Sequence, residues 1–333
     1  MTAIVMFRGK HAALLPAVAS VFLIPYVLPE YAVVVLSYAF VFSIACLGLN
    51  LLFGMTGLLS FGHAAFFGVG AYAGAFLYRF GPVNSFEAYV TAGIVAATAT
   101  AALFGHFCVR TSRIYFAILT LGFTQIVHAL FVNGTVFRLF GDVGKGLYYL
   151  GGGGLYIPRL SILGVEYGSH DFTTVLYHVI ALSFLASAAV LWRIVRSPFG
   201  LALRAIRDNE TRASFIGIPV RRYRYIAFVV SGAVVGLAGA LFGQLGRQIT
   251  PEHLDWLFSA KLILMIVLGG SRDFLGPLLG AFAFVGLGEA GASWPVSRNL
   301  VMGLGLIIVV MVFPRGLAGG IRTAGEWMRH ILR

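Results

Sequence analysis

The feature that most limits what this chain can become is the repeated return of apolar stretches about as long as a bilayer is thick. A helix needs about 20 mostly apolar residues to cross the roughly 30 Å hydrocarbon core. Such runs fall at 12 to 28, 31 to 53, 57 to 78, 87 to 109, 114 to 132, 172 to 195, 225 to 246, 257 to 269, 274 to 291 and 299 to 313. Within lipid every backbone polar group must find its partner inside the protein, and long continuous apolar runs do this as helices. The expected fold class is all-α, a polytopic transmembrane bundle of about 8 to 10 spans with broken or short helices, forming one membrane domain over residues 1–333. Composition agrees: 11% of the residues are charged, against about 25% in a water-soluble domain.

The 24 Lys and Arg outnumber the 12 Asp and Glu, a balance that in a soluble chain points to nucleic acid. Their placement points to membrane topology instead. With a cytoplasmic N-terminus and ten crossings, the inner segments hold Arg8, Lys10, Arg110, Arg113, the arginines from Arg193 to Arg224, Arg272, Arg315, Arg322, Arg329 and Arg333. Elsewhere stand Arg79, Arg138, Lys145, Arg159, Arg247, Lys261 and Arg298. This is the positive-inside bias, with both termini cytoplasmic, lipid as the surrounding partner and no nucleic acid. Arg8 and Lys10 ahead of an apolar run resemble a signal peptide, but no small-residue cleavage site follows, and Pro16, Pro25 and Pro29 suit an uncleaved first span. Cys46 and Cys108 lie inside apolar runs without metal-ligand spacing and read as packing residues.

Two stretches rich in glycine, 54 to 74 and the short run before Gly269-Gly270, are expected to be broken helices or half-spans, and their similar glycine spacing hints at an internal repeat. Two segments outside the spans are long enough for structure of their own. Residues 134–171, with Gly151 to Gly154, Tyr148, Tyr149, Tyr156 and Pro158, read as a packed external loop with a short helix. Residues 197–224 read as cytoplasmic.

Within that second segment Ser197 suits an N-cap, Pro198 the first helical position, and Gly217 with Pro219 the stop. One short amphipathic helix is expected over 198 to 217, with Leu203, Ile206, Ala213 and Ile216 on one face and Arg207 with Glu210 and Asp208 with Arg212 at pairing distance. A basic interfacial helix on anionic lipid explains the arginines alone. A docking helix for a cytosolic partner also explains the mixed charge and the small residues Ala205 and Ala213.

Asn50, Thr56, Ser60 and His63 fall at membrane depth, as do Thr120, Thr124, Gln125 and His128 along the fifth run and Gln244 late in the seventh. They either line a path that opens to water or satisfy backbone and neighbouring helices. His63 has no Cys, Asp or second His at ligand spacing, so no metal site is expected.

Ion-coupled transport usually needs an ionisable group in mid-membrane. The twelve acids lie in loops or near span ends, Glu289 the deepest. Gly144-Lys145-Gly146 is no phosphate-binding loop, because Leu139 stands where a glycine is needed and no Ser or Thr follows the lysine. His106, Asp142, His170 with Asp171, and His253 with Asp255 are scattered, which speaks against an enzyme.

Specific stretches carry a resemblance. The 198–217 segment resembles the cytoplasmic coupling loop of ATP-binding-cassette importer permeases. Leu47 to Gly57, Leu59 to Tyr72, Ile114 to Leu121, and Val267-Leu268-Gly269-Gly270 with Gly276-Pro277 and Gly280-Ala281 resemble the branched-chain amino acid permease family of the LivM type. Where that family carries a Thr-Gly-Gly-type motif leading to Gly-Leu, this chain has Gly141 to Leu147 and Gly151 to Leu155. The resemblance implies a permease in a bacterial cytoplasmic membrane that imports branched-chain or other amino acids, urea, an amide or a small organic acid by alternating access. It implies a second homologous permease subunit, two cytosolic ATPases that hold ATP and Mg, an extracytoplasmic binding protein, and no cofactor in this chain. Coupling would fall to Arg204, Ala205, Arg207, Asn209, Glu210, Ala213 and Gly217, and the translocation path to Asn50, Thr56, Ser60, His63, Thr124 and Gln125. The alternatives are an ion-coupled secondary transporter and, more remotely, a membrane-embedded enzyme.

Overall fold

A computed structural model of the chain describes residues 20–320 except 82, 112, 140–153, 293–297 and 315. Arg8, Lys10, Pro16, Lys145, Arg315, Arg322, Arg329, Arg333, Gly141 to Leu147, Tyr148, Tyr149 and Gly151 to Gly153 lie outside the described residues, as does the start of the first apolar run.

After helical residues 20–27 come α1 (Glu30–Thr56), α2 (His63–Phe80), α3 (Phe86–Cys108), α4 (Arg113–Val132) and the single turn α5 (Thr135–Arg138). Then follow β1 (Leu155–Tyr156), α6 (Ser169–Arg196), α7 (Pro198–Asp208), α8 (Glu210–Phe215), α9 (Val220–Gly246), β2 (Gln248–Ile249), a 3-10 turn (Pro251–Leu254), α10 (Trp256–Gly269), α11 (Gly276–Ala292) and α12 (Arg298–Val312). Among the described residues α1, α3, α4, α6 from Asp171 onward, and α9 are long and apolar enough to cross a bilayer, and α10 and α11 are shorter apolar helices. The all-helical polytopic fold expected from the sequence is the fold observed.

Helix α9 is the axis of the bundle, packed along α1, α2 and α3. Small residues bring these backbones together. A Cβ on Gly239 would collide with the Phe67 carbonyl, one on Gly236 with Ala97, and one on Gly70 with the Gly236 carbonyl. Where lipid tails are as apolar as leucine, close backbone approach of this kind supplies the dispersion contacts that hold helices together. Buried apolar side chains from Val33 on α1 to Ala281 on α11 form one contiguous core. Cys46 and Cys108 are buried free thiols within it.

Both glycine-marked stretches are breaks. Residues 57–62 separate α1 from α2, with Gly57 in the left-handed region at φ 71°. Residues 270–275 separate α10 from α11, and Gly269, Gly276 and Gly280 let these two helices meet backbone to backbone. Helix α10 has 14 residues, or about 21 Å at 1.5 Å per residue, too short to cross the core alone.

The described part of the loop 134–171 carries the short helix α5 and pairs with the end of α9. Leu155 lies opposite Ile249 and Tyr156 opposite Gln248 in an antiparallel ladder, and the Ile157 N–H donates to the Arg247 carbonyl at 2.9 Å.

Candidate functional site

Side chains singled out by sequence gather at two places, a surface segment at the start of α9 and the buried connector between α1 and α2.

At the surface segment the Ser197 hydroxyl accepts the Gly200 N–H at 3.4 Å and Pro198 opens α7, as the sequence implies. The single helix expected over 198 to 217 is in fact two. Asn209 is extended (φ −158°, ψ 108°), and its side-chain oxygen accepts the Arg212 N–H at 2.9 Å, which ends α7 and caps α8. Asparagine competes with helix continuation by bonding nearby backbone, and here the competition wins. The break cancels the expected charge pairs. Arg207 lies 3.5 Å from Asp208, while Glu210 takes a two-pronged bond from Arg224 on α9 at 2.8 and 2.7 Å. The Arg224 side chain is 2% exposed and that of Glu210 45%. Helix α9 therefore begins five residues before its apolar run and carries a buried arginine in its second turn.

The stop at Gly217 is as expected. With φ 86°, its N–H bonds the Ser214 carbonyl at 3.0 Å and the Ile218 N–H bonds the Ala213 carbonyl at 3.1 Å, a Schellman closure. The shared apolar face needs correcting. Leu203, Ile206 and Ala213 are buried, Ala213 against Ile206 and Val220, whereas Ile216 and Phe215 are 74% and 84% exposed. Ala213 is thus a core contact, not a point of close approach for a partner. Arg204 bonds the Val195 carbonyl at 2.8 Å, and Ala205 is half-buried.

One contact joins this segment to the α1 break. Arg207 donates to the Gly54 carbonyl at 2.6 Å, one of the last-turn carbonyls of α1 that no helical N–H can reach, and its stem lies beside Gly57. Arg113 at the start of α4 donates to the Arg207 carbonyl at 2.6 Å.

In the connector, side chains from α4 and α10 satisfy backbone that has left the helical ladder. The Phe61 carbonyl accepts from Ser259 at 2.7 Å and Thr124 at 3.1 Å, the Phe61 N–H donates to Thr120 at 3.2 Å, and the Ala64 N–H donates to Ser259 at 2.7 Å. Left unmade, each such bond costs several kcal/mol in hydrocarbon. Thr56 bonds back to the Leu52 carbonyl.

His63 is fully buried between Ser60 at 3.0 Å from Nδ1 and Ser231 at 2.7 Å from Nε2. The Ser231 proton goes to the Gly48 carbonyl at 2.6 Å, so Nε2–H must donate to Ser231, and on a neutral ring Nδ1 then accepts from Ser60. Neither nitrogen is left over in this conformation. Gln125 reaches Asp255 at 2.7 Å, a partner that sequence spacing does not reveal. Asn50 Oδ1 and both amide atoms of Gln244 are buried without a partner, and Asn50 borders a cavity of about 10 Å³. Groups of three or more metal-ligating side chains are absent among the described residues.

A third place is not announced by the sequence. At the far end of α9 a cavity of about 600 Å³ lies between α1, α10 and α11, beneath the 3-10 turn, within the usual range for a small-molecule site. Phe42 and Phe258 form its apolar walls, and Glu252, His253, Lys261 and Glu289 its polar ones. Burial lowers the pKa of His253. Lys261 adds to the shift, and the Thr250 hydrogen bond and Glu252 oppose it.

Taken together, the apolar bundle, its two internal breaks and the polar side chains that answer freed backbone in the connector define a multi-pass helical membrane protein. The chain belongs to the family described as branched-chain amino acid transport system / permease component, whose model matches residues 31–313. It is 30% identical over 307 residues to the high-affinity branched-chain amino acid transport system permease protein LivM of Escherichia coli (strain K12), covering 88% of this chain and 71% of that protein. It is 26% identical over 292 residues to LivH, a permease protein of the same description from the same organism, covering 84% and 91%. Among solved structures, PsaBC from Streptococcus pneumoniae in complex with Fab aligns at a TM-score of 0.44 and 12% identity over 88% of this chain and 94% of that one, a likeness that carries no argument.

Proposed function

We propose that this chain is the permease subunit of an ATP-binding-cassette importer in a bacterial cytoplasmic membrane, with both termini cytoplasmic. It pairs with a second, related permease, two cytosolic ATPases that bind ATP and Mg, and an extracytoplasmic binding protein. It carries a branched-chain or other amino acid, or a related small polar solute, inward by alternating access. The observation that carries this reading is the surface segment at the start of α9. Its exposed Phe215 and Ile216 stand as an apolar knob beside Arg212, Arg221 and Arg222, and its base is locked to α9 by the Glu210–Arg224 fork. A knob of this kind fits a groove in a cytosolic motor, and Arg207 passes its displacement to the end of α1. Arg204, Ala205, Asn209, Ala213 and Gly217 then build and orient the knob, while Arg207 and Glu210 transmit.

The test is Phe215→Asp with Ile216→Asp. Both side chains are exposed, so membrane insertion and thermal stability should stay within experimental error of the wild type, while solute-stimulated ATP hydrolysis and uptake fall at least tenfold. Full uptake with the ATPases still associated would remove the docking assignment.

A further inference from the structure

We infer that the corner where α6 turns into α7 is a binding site for an anionic phospholipid, whose phosphate is held by Arg193 and Arg196 and whose net negative charge is selected over a zwitterionic headgroup. The inference needs only the membrane fold and does not rest on the transport reading above.

Helix α6 packs along α1 and touches the helical residues 20–27, where Tyr177 donates to the Val21 carbonyl at 2.9 Å and His178 stacks on Phe22. Leu182 and Val190 are exposed, so the other flank of this span meets lipid tails. The same helix ends in Trp192, Arg193 and Arg196, all of them exposed. The Arg196 guanidinium lies 3.9 Å from the centroid of the Trp192 ring. A tryptophan at the end of a span sits at headgroup depth, and a cation stacked on it is held at that depth. The chain then turns sharply. A Cβ on Gly200 would collide with the Val195 and Ile194 carbonyls, and Arg204 donates to the Val195 carbonyl at 2.8 Å. This fold-back fixes the end of α6 beside α7, whose exposed Leu201 suits the boundary between headgroups and acyl chains.

Charge decides the class of lipid. Between Arg193 and Arg224 stand eight arginines and two acids, Asp208 and Glu210. Both acids are spent, Asp208 on Arg207 and Glu210 on Arg224. Among the described residues Arg193 and Arg196 have no carboxylate partner. The carboxyl end of α6 offers about half a negative charge, less than either arginine carries. A phosphate supplies what is missing, and forked guanidinium groups are suited to hold it. An ethanolamine headgroup would bring its ammonium among arginines with no free carboxylate to receive it, whereas a glycerol headgroup brings no cation.

The experiment places the full chain in nanodiscs of phosphatidylcholine in which a rising fraction of the lipid is phosphatidylglycerol with brominated acyl chains. Trp192 fluorescence is read as the difference from Trp192→Phe. Bromine quenches an indole at close range, so the signal reports the lipid beside Trp192. The salt is kept at about 0.15 M, where exposed charges more than about 8 Å apart are largely screened. Brominated phosphatidylglycerol should reach half its quenching at a mole fraction at least fivefold lower than brominated phosphatidylcholine or phosphatidylethanolamine. Arg193→Gln with Arg196→Gln should remove the preference, and Arg193→Gln alone, which leaves the stack on Trp192 in place, should at least halve it. Arg221→Gln with Arg222→Gln removes the same charge from a neighbouring stretch and should leave the preference unchanged. Equal quenching by the three lipids would assign the arginines to a protein partner and overturn the inference. Undiminished preference in the Arg193 and Arg196 variants, or an equal loss in the Arg221 and Arg222 pair, would overturn it as well, because the attraction would then be diffuse.

Discussion

Arg224 shows how a single residue can sit where its sequence context misplaces it. It belongs to a run of arginines that reads as solvated cytoplasmic charge, yet it is 2% exposed and held by both oxygens of Glu210. Removing one partner of a buried ion pair leaves an uncompensated charge, typically at 3–5 kcal/mol. Because Glu210 is itself 45% exposed, solvent screens part of the loss, and Glu210→Ala should cost about 2 kcal/mol. The double variant Glu210→Leu with Arg224→Met should recover most of it. Thermal unfolding in detergent measures both, and equal losses in single and double variants would mean that the fork contributes nothing. The pair was hidden because sequence spacing offered Glu210 a nearer partner, Arg207, across what reads as one helix. Only the turn at Asn209 swings Glu210 towards α9. Asn209 itself was legible as a capping type, but whether it caps or stays helical is decided by what the two halves can reach.

At the scale of elements, the runs at 87 to 109, 114 to 132 and 172 to 195 match α3, α4 and α6 within a few residues, since a continuous apolar run has one stable form in lipid. The glycines were legible as sites of breakage or close packing, but not which glycine does which. Gly57 and Gly217 take left-handed backbone, Gly239 takes the Phe67 carbonyl against its α-carbon, and Gly122 and Gly286 have nothing within 4 Å of where a Cβ would stand. A graded outcome follows. Gly239→Ala overpacks the α2–α9 contact and should destabilise by about 2–3 kcal/mol, whereas Gly122→Ala and Gly286→Ala should be neutral or slightly stabilising. Equal melting temperatures for all three would show that backbone contact along α9 is not what holds the bundle. The polar stripe on α4 resolves in the same way. Thr120, Thr124 and Gln125 are bonded between elements, the former two to the connector and Gln125 to Asp255.

For the whole molecule, the two ends of α9 carry different chemistry, about 40 Å apart by helix rise. With cytoplasmic termini, a membrane-impermeant thiol reagent should label Phe215→Cys only from the cytoplasmic side and Glu252→Cys only from the outside. Labelling of both from one side would overturn the orientation. Residue order alone dictated the solvent: spans, charge asymmetry and breaks follow from hydropathy, charge and glycine, properties each residue carries with it. Partnership came from the packing of the folded helices. His63 on Ser231, Arg207 on the Gly54 carbonyl and Gln125 on Asp255 join residues far apart in the chain, and Glu210 on Arg224 joins two separate helices. No local pattern encodes them, because a buried polar group takes whichever partner packing brings within 3 Å or so, and packing is a property of the assembled helices.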